Sequence, residues 1–200
     1  MSKTAEKVKA IIFDFDGVIV DSFSANYGAS SLFFYDLEEE EYKARFFGNI
    51  YQSKIDKKRK KTSVNYFEEY ERRLLAISPG KNVLKTLERL KEKRLLFINS
   101  STPEDSLEKY LEKYSLNNLF DEILGYNFSK SKVKKFKHLF NKYKLQPQDC
   151  IFVTDTLGDI KEANEVKLKT IAVDFGFHNS EILKRGKPFK IISDFEDLLN

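Results

Sequence analysis

Apolar residues fall along this chain in short runs separated by segments of helical spacing. The runs are residues 10–13, 95–98, 151–153, 170–173 and 190–192, with a weaker one at Ile123 and Leu124. Runs of this length, bounded by polar residues, predict buried strands. Between them, Val83, Leu84, Leu87 and Leu90 follow Pro79-Gly80 at helical spacing. Leu107, Tyr110, Leu111 and Tyr114 repeat the pattern, as do Val133, Phe136, Phe140 and Tyr143. Strands alternating with helices imply right-handed crossovers and a parallel sheet, an α/β fold of the doubly wound kind. Residues 22–76 break the rhythm. They hold Leu32-Phe33-Phe34-Tyr35, an acidic run at 38–41, a basic run at 57–61 and Tyr66-Phe67-Glu68-Glu69-Tyr70, with nothing that reads as a buried parallel strand. The expectation is a core formed by 1–21 and 77–200, with a small α-helical cap inserted at 22–76 after the first strand.

Composition narrows the class. Two hundred residues suit one α/β core with a small lobe, and a chain 41% hydrophobic and 14% aromatic can bury a core. The single cysteine, Cys150, excludes an intramolecular disulfide and suits a reducing compartment. Beside Ile151-Phe152-Val153 it reads as a small core residue. Residues 1–9 are polar and too short for a signal peptide, and no apolar run approaches the ~20 residues needed to span a bilayer. The expectation is a cytoplasmic protein with no membrane partner. A formal net charge of +4 does not by itself imply a nucleic-acid partner. The charge runs, 57–61 included, read as solvated faces.

Ligands of open parallel sheets bind beyond the carboxyl ends of the strands. The first run is followed by Asp14-Phe15-Asp16-Gly17, the second by Asn99-Ser100-Ser101-Thr102, the third by Thr154-Asp155-Thr156-Leu157-Gly158-Asp159, and the fourth by Asp174. Polar or acidic groups therefore meet at one edge. Crowded carboxylates stay ionised when a hard cation sits among them. Magnesium prefers oxygen ligands and often binds phosphate directly, which makes Asp14 and Asp155 candidate ligands. No Cys/His cluster has zinc spacing, and His138 and His178 are isolated. Asp14 and Asp16, two apart, can face one side of an extended segment, and Gly17 permits a sharp turn after them. A metal-bound Asp14 can act as a nucleophile, while Asp16, off the metal, can hold a proton for the leaving group.

The segment from Asp14 to Ser22, reading DFDGVIVDS, resembles the first motif of the haloacid-dehalogenase-like superfamily, and within it the phosphoglycolate-phosphatase-like hydrolases. Residues 152–160, FVTDTLGDI, are similar to its fourth motif, and Pro79-Gly80 before a helix also fits. The resemblance covers 10–21 and 77–200 and places a helical cap at 22–76. It implies a Rossmann-like core, Mg2+ as cofactor and a small phosphorylated substrate. Asp14 would form an aspartyl-phosphate. Asp16 would be general acid and then base, lending its carbonyl to the metal. Asp155 would bind the metal, and Asp159 would orient the metal's water or a neighbouring group. The second-motif group that grips a phosphate oxygen would be Ser100 or, without a gap, Asn99. The third-motif lysine would be Lys132 or Lys130, with the spacing back from Asp155 favouring Lys132. Thr154 stands where the family commonly has glycine.

Plainer roles exist for several of these residues. Asp159 and Glu162 have capping-box spacing for a helix starting near Ile160, and Ser100 or Ser101 suit a helix cap. The aromatics Phe33, Phe34, Tyr66 and Phe67 read as cap core, and His178 as part of a surface loop. The leading expectation is a magnesium-dependent phosphomonoester hydrolase. A phosphosugar mutase on the same core and a non-catalytic binding protein on the same scaffold are the alternatives. A dehalogenase would need neither Asp16 nor Asp155.

Overall fold

A computed structural model describes residues 8–53 and 59–199. Lys57 and Lys58 of the basic run lie outside the described residues. Six described strands form one parallel sheet: β1 (Ala10–Phe13), β2 (Leu95–Asn99), β3 (Glu122–Leu124), β4 (Cys150–Thr154), β5 (Lys169–Val173) and β6 (Lys190–Ile192), in the order β3-β2-β1-β4-β5-β6. Phe13 lies opposite Ile98 of β2 and Val153 of β4, so the three central strands end level with one another. The chain winds to one side of β1 through β2 and β3 and to the other through β4, β5 and β6. The carboxyl end of β1 is therefore the switch point where such sheets open a crevice.

Side chains alternate across the sheet with period two. Ile11, Phe13, Leu96, Ile98 and Val153 face one core with helices α4 (Val83–Lys91) and α5 (Glu104–Lys113). Ala10, Ile12, Phe97 and Phe152 face the other, against α6 (Lys132–Tyr143) and α7 (Leu157–Glu165). Burial on both faces explains why the strands read as near-continuous apolar runs. Cys150 is buried on the second face.

The insertion between β1 and α4 supplies α1 (Phe23–Phe33), α2 (Glu39–Ala44) and α3 (Tyr66–Leu74), and no strand of the sheet among its described residues. Helices α1 and α3 pack on each other. A segment after α2, residues 45–52, descends onto the core. Asn49 Nδ2 donates to the Lys130 carbonyl at 3.2 Å and to Glu162 Oε1 at 3.2 Å, and Lys161 Nζ donates to the Phe47 carbonyl at 2.8 Å. His178, read from sequence as part of a surface loop, is instead buried. Its Nδ1 accepts the Leu157 N–H at 3.0 Å, and its Nε2 lies 3.1 Å from the Lys43 carbonyl, so the ring ties insertion to core. Burial holds this imidazole below its ordinary range, as its role between a backbone donor and a carbonyl requires.

Gly158 makes this seating possible. A Cβ there would stand 2.4 Å from the Gly48 carbonyl oxygen and 2.8 Å from that of Phe46. Gly158→Ala is expected to cost about 1–3 kcal/mol of stability through overpacking. The loss would appear as a lower denaturation midpoint at unchanged slope, and an unchanged midpoint would mean that 46–48 does not rest on α7. Among the described residues, no helix is long and apolar enough to cross a membrane.

Candidate active site

Asp14 follows β1 directly and Asp155 follows β4 directly, so the level strand ends bring both to the same edge. The chain must then turn away at once. Gly17 does so with a φ of 72°, in the left-handed region that favours glycine. A Cβ there would also lie 1.9 Å from Asp155 Oδ2. Space and backbone conformation thus both require glycine after the Asp-x-Asp pair.

Asp14, Asp16, Lys132, Asp155 and Asp159 line one narrow cavity of ≈ 40 Å³. Lys132 is the first residue of α6, with Ser131 as its cap accepting the Lys134 N–H. Its ammonium lies 2.8 Å from Asp14 Oδ1 and 2.7 Å from Asp159 Oδ2, and donates to the Asn99 carbonyl at 3.0 Å. Burial pulls this ammonium down, but Asp14 and Asp159 overcome it and hold it above its ordinary value. Lys130 is placed elsewhere, over the rings of Tyr51 and Tyr126.

Burial pushes the Asp14 carboxyl up; Lys132 opposes this and Asp159 adds to it. Asp159 feels the same burial but lies under Lys132, which holds it below its ordinary range. Asp155 is fully buried; its Oδ2 accepts the Phe177 N–H at 2.7 Å and its Oδ1 has no hydrogen-bond partner. Burial pushes it up to about 8 despite that N–H. Lys132 pairs with Asp14 and Asp159 and, among the described residues, leaves Asp155 without a paired cation; held ionised together, the three carboxylates would exceed that ammonium by two charges, which one divalent cation would balance. Among the described residues, no three acidic, imidazole or thiol side chains converge as a ready metal cage. Magnesium needs less: one or two carboxylates, completed by water and phosphate. The orphaned Asp155 oxygen and the Asp14 carboxylate, lining the same cavity, are hard oxygen donors of that kind, so the residues present fit the ion.

Asp16 faces a different set of partners. Its Oδ1 accepts Ser22 Oγ at 2.6 Å, Asn26 Nδ2 at 2.9 Å and the Tyr70 hydroxyl, and its Oδ2 accepts Thr102 Oγ1 at 2.6 Å. Thr102 belongs to the polar stretch after β2 that the sequence brings to this edge, whereas Asn26 and Tyr70 lie on the insertion and were not legible as site residues.

Beyond β2, Asn99 and Ser100 are buried and turned inward. Asn99 Nδ2 donates to the Lys132 carbonyl at 3.2 Å, and Ser100 Oγ accepts the Thr102 N–H at 3.0 Å. Ser101 is the residue of this stretch that lines the cavity. The helix-cap readings need correction. Pro103 precedes α5, so neither serine caps it. Helix α7 starts at Leu157 with Thr156 as its cap, three residues before the expected start. Asp159 therefore sits inside the first turn, where Thr154 Oγ1 donates to it at 3.0 Å. Glu162 Oε1 accepts the Lys132 N–H at 3.1 Å instead of closing a capping box. Asp174 is not among the cavity residues.

The sequence over residues 11–173 matches the model of the haloacid dehalogenase-like hydrolase family. The chain belongs to that family, and its fold, sheet and helices together, is the family's fold. It is 27% identical to a phosphoglycolate phosphatase of Synechococcus elongatus over 96% of each chain. It is 28% identical to another of Pasteurella multocida over 59% of this chain and 54% of that one. Among solved structures, a haloacid dehalogenase-like family hydrolase from Streptococcus pneumoniae superposes with a TM-score of 0.81 at 18% identity, over 97% of this chain and 98% of that one. A structure described as a predicted phosphoglycolate phosphatase from Haemophilus somnus gives 0.73 at 24% identity, over 96% and 97%. The chain is a hydrolase of this family, and phosphatases are what it resembles over nearly its whole length.

Proposed function

We propose that this protein is a magnesium-dependent phosphomonoester hydrolase that works through an aspartyl-phosphate on Asp14. The observation that carries the reading is the convergence of Asp14, Asp155, Asp159 and Lys132 on one cavity at the carboxyl ends of β1 and β4, with Lys132 paired to Asp14 and Asp159. Asp14, Asp155 and the Asp16 carbonyl would hold the ion, which supplies charge neutralisation to the phosphoryl oxygens.

Asp14 attacks phosphorus through the carboxylate oxygen left outside the ion pair, and the bond to the leaving oxygen breaks in line. Lys132 carries positive charge to the oxygens of the transferring group and keeps Asp14 aimed. Asp16 gives a proton to the departing alkoxide, then takes one from the water that releases phosphate from Asp14. Ser101, on the cavity wall, is the candidate to hold a phosphoryl oxygen in the second-motif role, with Asn99 and Ser100 supporting it from beneath. The insertion acts as a cap, excluding water and fixing Asp16 through Asn26 and Tyr70.

Release of phosphate from an aryl phosphate in magnesium, abolished by chelator and restored on readdition, tests the reading. Equal turnover in chelator would end it. Tyr70 is read as a positioning residue. Tyr70→Phe keeps the ring but removes one donor from Asp16, and is expected to lower kcat about tenfold with little change in KM, the size of one hydrogen bond to a charged group. A fall in kcat at an unchanged denaturation midpoint marks a positioning role. An unchanged kcat, or a kcat lost only in proportion to folded protein, would assign Tyr70 a purely structural role.

A further inference from the structure

A second cavity, of ≈ 450 Å³, adjoins the ionic one and shares Asp16, Phe46, Ile50, Ser101 and Phe177 with it. It lies between insertion and core, where the leaving group must sit if phosphorus is at Asp14. Its walls are unlike the ionic cavity's. Phe67 from α3 and Tyr126 from the loop after β3 touch in its wall with ring centroids 5.6 Å apart, and Tyr51 touches Tyr126 at 5.6 Å, with the Lys130 ammonium over the Tyr51 and Tyr126 rings. Tyr66 and Tyr70 stack at 6.0 Å and 7°, leading down to Asp16. Phe67 is 41% exposed, so the fold does not bury this ring for its own stability. Asn26, Ser30, Arg45 and Lys61 add polar and charged groups to the same walls. A volume in the range of small-molecule sites, mostly apolar and rich in aromatic rings with a few polar groups, is that of a pocket built for an organic ring.

Resting on the phosphatase reading above, we propose that the preferred substrate is a phosphomonoester whose leaving group carries a planar heteroaromatic ring. The ring packs against the wall that Tyr51, Phe67 and Tyr126 form while its ester oxygen lies at Asp16. A two-carbon leaving group such as that of 2-phosphoglycolate leaves most of the chamber unfilled. Stacking on aromatic side chains contributes about 1–3 kcal/mol per ring, roughly 5- to 150-fold in kcat/KM.

The test compares kcat/KM for a nucleoside 5′-monophosphate, pyridoxine 5′-phosphate, glucose 6-phosphate, 2-phosphoglycolate and acetyl phosphate, all in magnesium. At least one ring ester is expected to exceed glucose 6-phosphate and 2-phosphoglycolate by tenfold or more, and the two ring esters distinguish a base from a pyridine. In Phe67→Ala and Tyr126→Ala, the ratio of ring ester to acetyl phosphate should fall at least fivefold. Preference for 2-phosphoglycolate or glucose 6-phosphate, or an unchanged ratio in both variants, overturns the proposal. Calorimetric binding of the same ligands separates the two readings. No turnover of any ester, with selective binding of a ring ester, would sink the hydrolase and keep the chamber's assignment. Turnover without ring preference would do the reverse.

Discussion

Asp14→Asn is expected to lower phosphate release on the order of 10⁴-fold or more, because the amide is no nucleophile and nothing else in the cavity replaces it. The protein should remain folded. Asp14 and Asp159 share the Lys132 ammonium, so removing the Asp14 charge relieves crowding between the two carboxylates as well as breaking an ion pair. In the absence of magnesium, the variant's stability is expected to lie within about 1 kcal/mol of the parent. Single-turnover assays beside a denaturation curve check both halves. Activity within tenfold of the parent would remove Asp14 from the mechanism, and a collapsed fold would make the residue structural.

Lys132→Met should fail in the opposite balance. Its ammonium is buried and touches Asp14, Asp159 and the Asn99 carbonyl. Losing one partner of a buried ion pair strands the other and costs about 3–5 kcal/mol. Activity should fall about 10²- to 10³-fold, the scale seen when one charge-stabilising donor is removed from an active site. Lys135 offers little substitute. It is buried on the same helix and donates to the Ser100 carbonyl, but burial and the neighbouring Lys132 push it down to about 7. Magnesium should raise the melting temperature of Lys132→Met more than that of the parent, because the ion supplies the positive charge the variant lacks. Equal magnesium shifts in the two proteins would mean that the ammonium and the ion do not share the same carboxylates.

Strands β1, β2, β4 and β5 were legible because they are buried on both faces and read as short apolar runs; β3 was faint because it is a three-residue edge strand beginning at Glu122. Asp14, Asp16, Asp155 and Asp159 were legible because strand ends deliver them in fixed order. The choice between Lys130 and Lys132 was harder, although a signal was present. The buried stripe of α6 is Lys132, Lys135, Phe136 and Leu139, at spacings of three, one and three. Reading the helix from Val133, Phe136, Phe140 and Tyr143 rotates that stripe and hides both lysines. Asn99, Ser100 and Ser101 are chemically similar neighbours, and only the path of the chain after β2 decides which one faces the cavity. Of the partners around Asp16, Thr102 was legible only as part of the polar stretch after β2, and Asn26 and Tyr70 were not legible. The three approach Asp16 from separate elements, and tertiary packing alone makes them its neighbours. The same holds for the aromatic chamber: Phe67 and Tyr66 read as cap core, yet they line a space shared with the catalytic edge.

The most direct test weighs the peptide that contains Asp14. Enzyme, magnesium and an aryl phosphate are mixed, quenched in acid within the first turnover, digested and analysed by mass spectrometry, with borohydride reduction to mark acyl phosphates. The expected result is a single phosphoryl group on Asp14, formed as the aryl alcohol is released and lost as phosphate appears. Phosphate released throughout the turnover with that peptide unmodified, or the label on another residue, would contradict the account.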